Sequence, residues 1–153
     1  MGKKTNVLYS LAVLFLLISC ETTTKNTPQI DVKMVFDVPS LIGKNIDEIR
    51  QVIGMPSDGE QIEPTKQQMK MSFEYWDNSF EKDGKTLLIT FNPQNRKVKE
   101  FFISTNDPSG ATEDYSDLLL ICNVTKNSPE YRVEPVPSIS NNKQFTGIII
   151  TQK

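Results

Sequence analysis

The sequence predicts an α+β fold: a two-layer domain in which an antiparallel sheet of about five strands carries two helices packed on one face. The main observation is the order of elements indicated by hydrophobic spacing, which is helix, three strands, helix and two strands. Short turns join strands, so neighbours are expected to pair antiparallel. A sheet with one face in water needs its other face covered, and two amphipathic helices supply that cover.

The first helix is marked at both of its ends. Asn45 is a good N-cap residue, and Glu48 three positions later completes a capping-box pair. Apolar residues then recur at helical spacing, namely Ile46, Ile49, Val52 and Ile53. Gly54 suits the left-handed position after a helix and Pro56 blocks continuation, so the helix is expected to end there.

Three strands are predicted after this helix, because apolar and polar residues alternate. They are expected at 69–75, around 87–91 and at 98–103. The alternating apolar positions of the first two are Met69, Met71, Phe73 and Tyr75, then Leu87, Ile89 and Phe91. Asp83 with Gly84 marks one turn, and 92–95, where Asn95 can adopt a positive φ, marks another. The second turn is short enough to make the second and third strands a hairpin.

The C-terminal part repeats the order of a helix followed by strands. A second helix is predicted at 112–123, because Thr112 can cap it and acidic residues follow at the positive end of its dipole. Leu120 and Ile121 widen its apolar face, so either the helix is buried or the end of this run is a strand. Two more strands are expected at 131–136 and 145–151. Pro135 has no backbone N–H to donate, which places the first of these strands at an edge of the sheet.

The N-terminal 19 residues predict an export signal. Two lysines precede a nearly continuous apolar run at 7–18, which is shorter than the roughly 20 residues that a helix needs to cross a bilayer core. The run ends in Leu17, Ile18, Ser19 and Cys20, a sequence that resembles the lipobox of bacterial lipoproteins. This resemblance implies cleavage before Cys20 and acyl chains on that residue. An uncleaved anchor, or an ordinary signal with an accidental cysteine, is the alternative.

The signal and the lipidation site together predict three parts of the chain. Residues 1–19 are the signal peptide to be removed, 20–34 hold the lipidated Cys20 and a flexible polar tether, and 35–153 form a single α+β domain. Anchoring is stable when two acyl chains are present, so the lipid is expected to hold the protein on a membrane that it does not cross. The implied location is the bacterial cell envelope, with the outer membrane favoured.

Composition excludes several functions. Once Lys3 and Lys4 leave with the signal, 15 basic residues face 19 acidic ones, and this charge of −4 argues against nucleic acid as a partner. The chain has no histidine, which excludes catalysis with a histidine base and histidine-ligated zinc. Cys122 has no partner in the chain once Cys20 is acylated, and it is expected to be buried. No catalytic residue, metal ion or cofactor is predicted.

One helix motif and the strands after it resemble a known family. The residues are Gly43, Asp47, Glu48 and Ile49, then the segments 52–56, 73–76 and 87–91, then Lys97 and Val98. They are similar to the small lipoproteins related to BamE, a component of outer-membrane β-barrel assembly, and to β-lactamase-inhibitor-protein-like domains. The similarity covers 43–103, under half of the chain. It implies a non-enzymatic, protein-binding scaffold in the envelope.

The expected function is therefore that of a scaffold or adaptor for another envelope protein. Trp76 and Phe80 are the interface candidates, since exposed aromatic residues commonly anchor protein interfaces. The alternative for Trp76 is that it packs under the loop that follows it, and Phe80 carries the same ambiguity. Two other functions stay open: an inhibitor or immunity-type protein that blocks an enzyme, and a carrier or sensor of a small apolar ligand.

Overall fold

Five strands form one antiparallel sheet in the computed structural model, which describes residues 32–57, 61–71, 73–105 and 107–153. The elements are a 3-10 helix at Val38–Leu41, α1 at Ile46–Ile53, α2 at Lys66–Lys70, β1 at Trp76–Lys82, β2 at Lys85–Phe91, β3 at Val98–Ser104, α3 at Ser116–Ile121, β4 at Tyr131–Pro137 and β5 at Phe145–Gln152. The predicted α+β fold is confirmed. The expected signal peptide and Cys20 lie outside the described residues, which belong to a unit spanning Asp31–Lys153.

The strand order is β1-β2-β3-β5-β4, and every neighbouring pair is antiparallel. β1 and β4 are therefore the two edges of the sheet. The predicted hairpin of β2 and β3 is confirmed, and β4 lies at an edge, as Pro135 requires. Because β5 inserts beside β3, the C-terminal hairpin extends the sheet that the first three strands begin.

Alternate strand residues point to one face of the sheet, and this face is covered. The register aligns Phe80, Leu87 and Ile103 across three strands, and each is at most 2% exposed. The covering layer supplies the buried side chains Val35, Phe36, Val38, Leu41, Ile46, Ile49, Leu118 and Ile121. The backbone oxygen of Ile121 accepts the N–H of Val35 at 3.0 Å, which joins the start of the domain to the end of α3.

Helix α1 begins where its sequence predicts. The Asn45 side-chain oxygen accepts the N–H of Glu48 at 3.0 Å, and the Glu48 carboxylate accepts the N–H of Asn45 at 2.8 Å. Two N–H groups at the start of the helix are satisfied in this way. Val52 is 55% exposed, so the buried stripe of the helix is narrower than predicted and consists of Ile46 and Ile49.

The strand predicted at 69–75 is wrong. Lys66–Lys70 form helix α2, and β1 begins only at Trp76. The helix starts because Thr65 and Gln68 form a second capping box. The Thr65 hydroxyl accepts the N–H of Gln68 at 3.2 Å, and the Gln68 side-chain oxygen accepts the N–H of Thr65 at 2.8 Å. The hydrophobic alternation at 69–75 therefore lies before the sheet rather than in it.

Strand β1 occupies the stretch after Trp76 that is mostly polar in sequence. Its fully buried residues are Asn78 and Phe80, which are 0% and 2% exposed, and Trp76 faces the same side. Only alternate residues of a strand face the covered side, so an edge strand can form without a hydrophobic run. The turn predicted at Asp83 and Gly84 follows directly, and both residues have positive φ.

Helix α3 is shorter than the helix predicted at 112–123. It spans Ser116–Ile121. Thr112 does not cap it, because Thr112 forms a β-bridge with Phe145 through two backbone hydrogen bonds of 2.9 and 2.8 Å. After the helix, Asn123 takes a φ of +55°, which ends the helical path.

Candidate functional site

Trp76 lies at the first position of β1, on the covered side of the sheet and opposite Phe91. Its indole N–H donates to the backbone oxygen of Gln61 at 2.9 Å. The ring of Phe73 packs edge-on against the indole, with centroids 6.4 Å apart. The half-buried Trp76 thus packs with the segment that precedes it, whereas the sequence alternative placed it under the loop that follows. Its role at an interface stays a prediction.

Phe80 is a core residue. It is 2% exposed and lies opposite Leu87 on the covered side of the sheet. A side chain that is buried to this extent offers a partner no surface, so the assignment of Phe80 as an interface candidate is wrong. The error follows from the misplaced first strand, because 77–82 is an edge strand whose alternate residues reach the core.

Four charged side chains join α1, the segment after it and the turn between β2 and β3. We name Asp47, Arg50, Glu63 and Arg96 the charged cluster. Arg96 donates to both carboxylates, at 2.8 Å to Asp47 and 2.7 Å to Glu63. Arg50 donates to Glu63 at 2.6 Å. The charges balance, and Glu63 ties its own segment to the helix and to the turn.

Burial makes Arg50 the centre of the charged cluster. Its side chain is 10% exposed, and one terminal nitrogen donates to the Asn78 side-chain oxygen at 2.5 Å and to the backbone oxygen of Ile62 at 3.1 Å. The Asn78 amide also donates to the Ile62 oxygen, at 3.0 Å. The guanidinium groups of Arg50 and Arg96 lie 5.5 and 5.3 Å from the Phe91 ring centroid. The segment around Ile62 is therefore fixed over the covered side of the sheet.

Hydrogen bonds and ion pairs favour the ionised forms of Asp47, Glu63 and Arg96. The hydrogen bond from Arg96 holds the pKa of Asp47 below its ordinary 3.8, and burial opposes this shift. Hydrogen bonds from Arg96 and Arg50 hold the pKa of Glu63 below its ordinary 4.5, again against burial. The same carboxylates raise the pKa of Arg96. Both carboxylates therefore stay deprotonated near neutral pH, and their ion pairs connect α1, the segment after it and the turn between β2 and β3.

The opposite side of the sheet, which we name the open face, is uncovered by the described residues. One register row crosses all five strands and consists of Ser79, Leu88, Phe102, Ile149 and Glu134. Its three central residues are apolar and only half-buried. Apart from Gly147, which has no side chain, every described strand residue on this face is half-buried or exposed.

Phe102 occupies the middle of this row, and a glycine sets the position of its ring. A β-carbon at Gly147 would lie 2.6 and 2.8 Å from two carbons of the Phe102 ring, and would also clash with the backbone oxygen of Ile103. Contacts this short are not tolerated in packed proteins, so the ring lies over β5 only because position 147 is glycine.

Charges surround the apolar centre of the open face. Lys99, at the bulge beside it, lies 3.6 Å from Glu100, and Arg132 lies 3.4 Å from Glu134. Asp77 accepts a hydrogen bond from the Thr90 hydroxyl at 2.7 Å and has no cationic partner among the described residues. Glu81, on the same edge strand, likewise forms no ion pair with the described part of the chain. Neither acidic side chain on the β1 side of the open face is therefore in an ion pair with a described residue, and Lys82 and Lys85 close the same hairpin.

Sequence reasoning missed this face, although a signal for it exists. Leu88 stands between two buried residues of β2, and Phe102 stands between two buried residues of β3. Successive strand residues point to opposite faces, so an unbroken apolar run in a strand must place some apolar residues outward. Met71, Phe73 and Tyr75, which the misplaced strand predicted to share one strand face, are instead 67%, 41% and 37% exposed.

Two further features are a surface depression and the buried Cys122. A half-open depression of about 450 Å³ is lined mainly by polar and charged residues, among them Lys44, Glu48 and Lys97. Within the described ranges, no three metal-ligating side chains come together, and no helix has the length and apolarity to cross a bilayer. The predicted burial of Cys122 is confirmed, and burial raises the pKa of its thiol to about 12, which makes it unreactive at neutral pH.

Comparison with protein-family models, with curated proteins and with solved structures gives no match. The resemblance to BamE-related lipoproteins therefore stays a prediction. What the fold and the candidate site define is a small α+β domain whose antiparallel sheet has one covered face and one open face.

Proposed function

We propose that this chain is a lipid-anchored protein of the bacterial cell envelope whose domain binds another envelope protein through the open face. The observation that carries the binding proposal is the apolar row of Leu88, Phe102 and Ile149 at the centre of an uncovered sheet face. The anchoring proposal depends on the sequence around Cys20, which lies outside the described residues.

The composition of the open face supports protein binding. Protein interfaces combine an apolar centre, often aromatic, with a polar rim that stays in water. Phe102 supplies the aromatic centre, with Leu88 and Ile149 on either side of it. Because Gly147 sets the position of the Phe102 ring, little side-chain freedom is lost on binding, and this lowers the entropic cost of association.

Charge indicates the chemistry of the partner. The acidic residues on β1 that form no ion pair with a described residue are Asp77 and Glu81, and the acidic residues elsewhere on the face already have cationic neighbours. A partner with lysine or arginine beside an apolar contact surface is complementary to this arrangement, and such complementarity increases association rate and specificity.

The proposal includes a non-enzymatic role and kinship with BamE-related lipoproteins. The absence of histidine from the sequence, together with a charged cluster whose members are all paired, supports the non-enzymatic part. An inhibitor or immunity-type protein would use the same face against a single enzyme. The depression beside Lys44 and Lys97 is lined mainly by polar and charged residues, so it gives the carrier hypothesis no support.

Photo-crosslinking from the open face tests the proposal. A benzophenone amino acid replaces Phe102 in one variant of the full chain and Leu120 in the matched control, since Leu120 is 56% exposed on α3. Irradiation of intact envelopes is expected to give one discrete adduct from position 102 and none from position 120. In the chain with Phe102 retained, a probe at Ile149 is expected to give the same adduct, and Phe102→Asp is expected to abolish it.

Three outcomes separate the alternatives. The same adduct from position 120, or none from positions 102 and 149, contradicts binding through the open face. An adduct with a soluble enzyme that loses activity on addition of the protein supports the inhibitor hypothesis instead. An adduct with an envelope protein whose assembly fails in the Phe102→Asp strain supports the adaptor.

A further inference from the structure

Three large apolar side chains lie exposed in the short segment before β1. Met71 is 67% exposed, Phe73 is 41% exposed and Tyr75 is 37% exposed. We name these three residues the apolar patch. They do not belong to the hydrophobic core, which is complete without them. Contiguous exposed apolar surface commonly marks a site that contacts another protein or a membrane, and these three residues lie within one stretch of five positions.

The segment that carries the apolar patch is held in place. Trp76 follows it and bonds to Gln61, while the side-chain amide of Gln94 donates to the Phe73 backbone oxygen at 3.2 Å. At its other end, the capping box of Thr65 fixes the start of α2. Phe73 and the start of α2 are therefore tied to the rest of the domain on either side of position 72.

Basic side chains accompany the apolar patch. Lys66 and Lys70 are exposed on α2. The Lys99 ammonium lies 4.6 Å from the Tyr75 ring centroid and is also 3.6 Å from the Glu100 carboxylate. Glu74 is the acidic residue among the exposed side chains at 65–75. Lysines beside methionine and aromatic residues suit the interface of an anionic bilayer, where apolar groups enter the acyl boundary and cations meet the lipid headgroups.

The length of the tether places a membrane within reach of the domain. Eleven residues separate Cys20 from Val32, the first described residue, and fully extended they span about 40 Å. A lipid on Cys20 would keep the domain within that distance of the bilayer. A tethered contact acts at a high effective concentration, so even a weak patch docks.

We infer that the apolar patch is a membrane-docking surface, which inserts Met71 and Phe73 into the headgroup region of the bilayer that holds the lipid anchor. This inference rests on the proposed anchoring at Cys20. Its test is separate from that of partner binding, because the apolar patch and the central row of the open face have no residue in common, and only Lys99 borders both.

The native tryptophan provides the test. Trp76 is the single tryptophan of the chain, and its ring lies 6.4 Å from the ring of Phe73. The full-length protein, purified from membranes, is reconstituted in phosphatidylethanolamine–phosphatidylglycerol vesicles that contain lipids with nitroxide-labelled headgroups and upper acyl chains. Docking is expected to quench the fluorescence of Trp76, and the double variant Met71→Ser and Phe73→Ser is expected to lose this quenching. Circular dichroism checks that the variant is folded.

A relocated probe serves as the control. In a Trp76→Phe background, a tryptophan introduced by Leu120→Trp on α3 is expected to stay unquenched, and Phe102→Ala is expected to leave the quenching of Trp76 unchanged. Equal quenching in the wild type and the double variant, or none in the wild type while the protein stays on the vesicles, overturns the docking inference alone. Protein that separates from the vesicles overturns the anchoring and the docking together.

Discussion

The aromatic ring of Phe102 lies over the backbone of Gly147, at a position where any β-carbon would come within 2.6 Å of the ring. The two residues belong to neighbouring strands, β3 and β5, and both contribute to the open face. Gly147 on β5 thus sets the position of the Phe102 ring on β3. This relationship connects the stability of the sheet to the surface that we propose for partner binding.

Gly147→Ala is expected to destabilise the domain. The new methyl group meets the Phe102 ring and the backbone oxygen of Ile103, and overpacking of this kind lowers the free energy of unfolding by about 1–3 kcal/mol. Urea denaturation followed by circular dichroism measures the loss. The control is Ser104→Ala, since Ser104 lies opposite Gly147 in the register and is half-buried.

Removal of the ring should relieve part of this strain. The double variant Gly147→Ala with Phe102→Ala is expected to lose less stability than the sum of the two single variants, because one of the two clashes is gone. Strictly additive losses would show that the ring does not rest on Gly147.

Arg50→Met is expected to cost more stability than Arg96→Met. The Arg50 side chain is 10% exposed, and its loss leaves the buried Asn78 oxygen without its cation, at a cost of about 2–3 kcal/mol. Arg96 is 28% exposed and bonds to carboxylates that water can reach, so its loss costs about 1 kcal/mol. Urea denaturation of the two variants at neutral pH gives the comparison, and the reverse order would contradict the central place of Arg50.

Stability is expected to fall in acid through Asp47 and Glu63. Each carboxyl has a pKa in the folded protein below its ordinary value, 3.8 for Asp47 and 4.5 for Glu63. The unfolded chain therefore takes up protons first as the pH drops, so the stabilisation is complete above about pH 5 and is lost progressively below it. Asp47→Asn and Glu63→Gln should each flatten this acid decline in urea titrations at a series of pH values. An unchanged slope in both variants would contradict the lowered pKa values.

The thiol of Cys122 is expected to be unreactive toward thiol reagents in the folded protein. Burial raises its pKa to about 12, and the side chain has no solvent contact. Ellman's reagent at pH 8 should therefore leave the folded protein unlabelled and should react with one thiol after denaturation in urea, provided that Cys20 is acylated. Rapid labelling without denaturant would show that α3 opens easily.

Residues close together in the sequence were enough to predict the start of α1 and the hairpin of β2 and β3. Asn45 and Glu48 specify the start of α1 with contacts three residues apart, and the structure contains both hydrogen bonds. The hairpin of β2 and β3 follows in the same way from a turn and its flanking alternation. In that turn the positive φ falls on Arg96 rather than Asn95, one residue from the predicted position.

The misplaced first strand shows where local signals end. The alternation of apolar and polar residues at 69–75 is as regular as in a true strand, but Thr65 caps a helix that begins at Lys66. The indole N–H of Trp76 also donates to the backbone oxygen of Gln61, fifteen positions earlier in the chain. The true strand is specified by Asn78, whose partners Arg50 and Ile62 lie on other segments. The strand propensity of one segment does not predict such contacts, because they form between segments that meet only in the completed fold.

The candidate site is harder still to derive from the sequence. Phe102 and Gly147 come together only after β5 inserts beside β3, and no spacing rule connects residues so distant in the chain. The sequence shows that one residue of each adjacent apolar pair in a strand must face outward. It does not show which of these outward residues lie side by side on neighbouring strands.

Mass spectrometry of the mature N-terminus tests the central claim most directly, because both proposals confine the domain to a membrane surface through Cys20. Protein extracted from native membranes is predicted to begin at Cys20 and to carry a diacylglyceryl group on its sulfur. A chain that retains residues 1–19, or one that begins at Cys20 with a free thiol, would contradict the account.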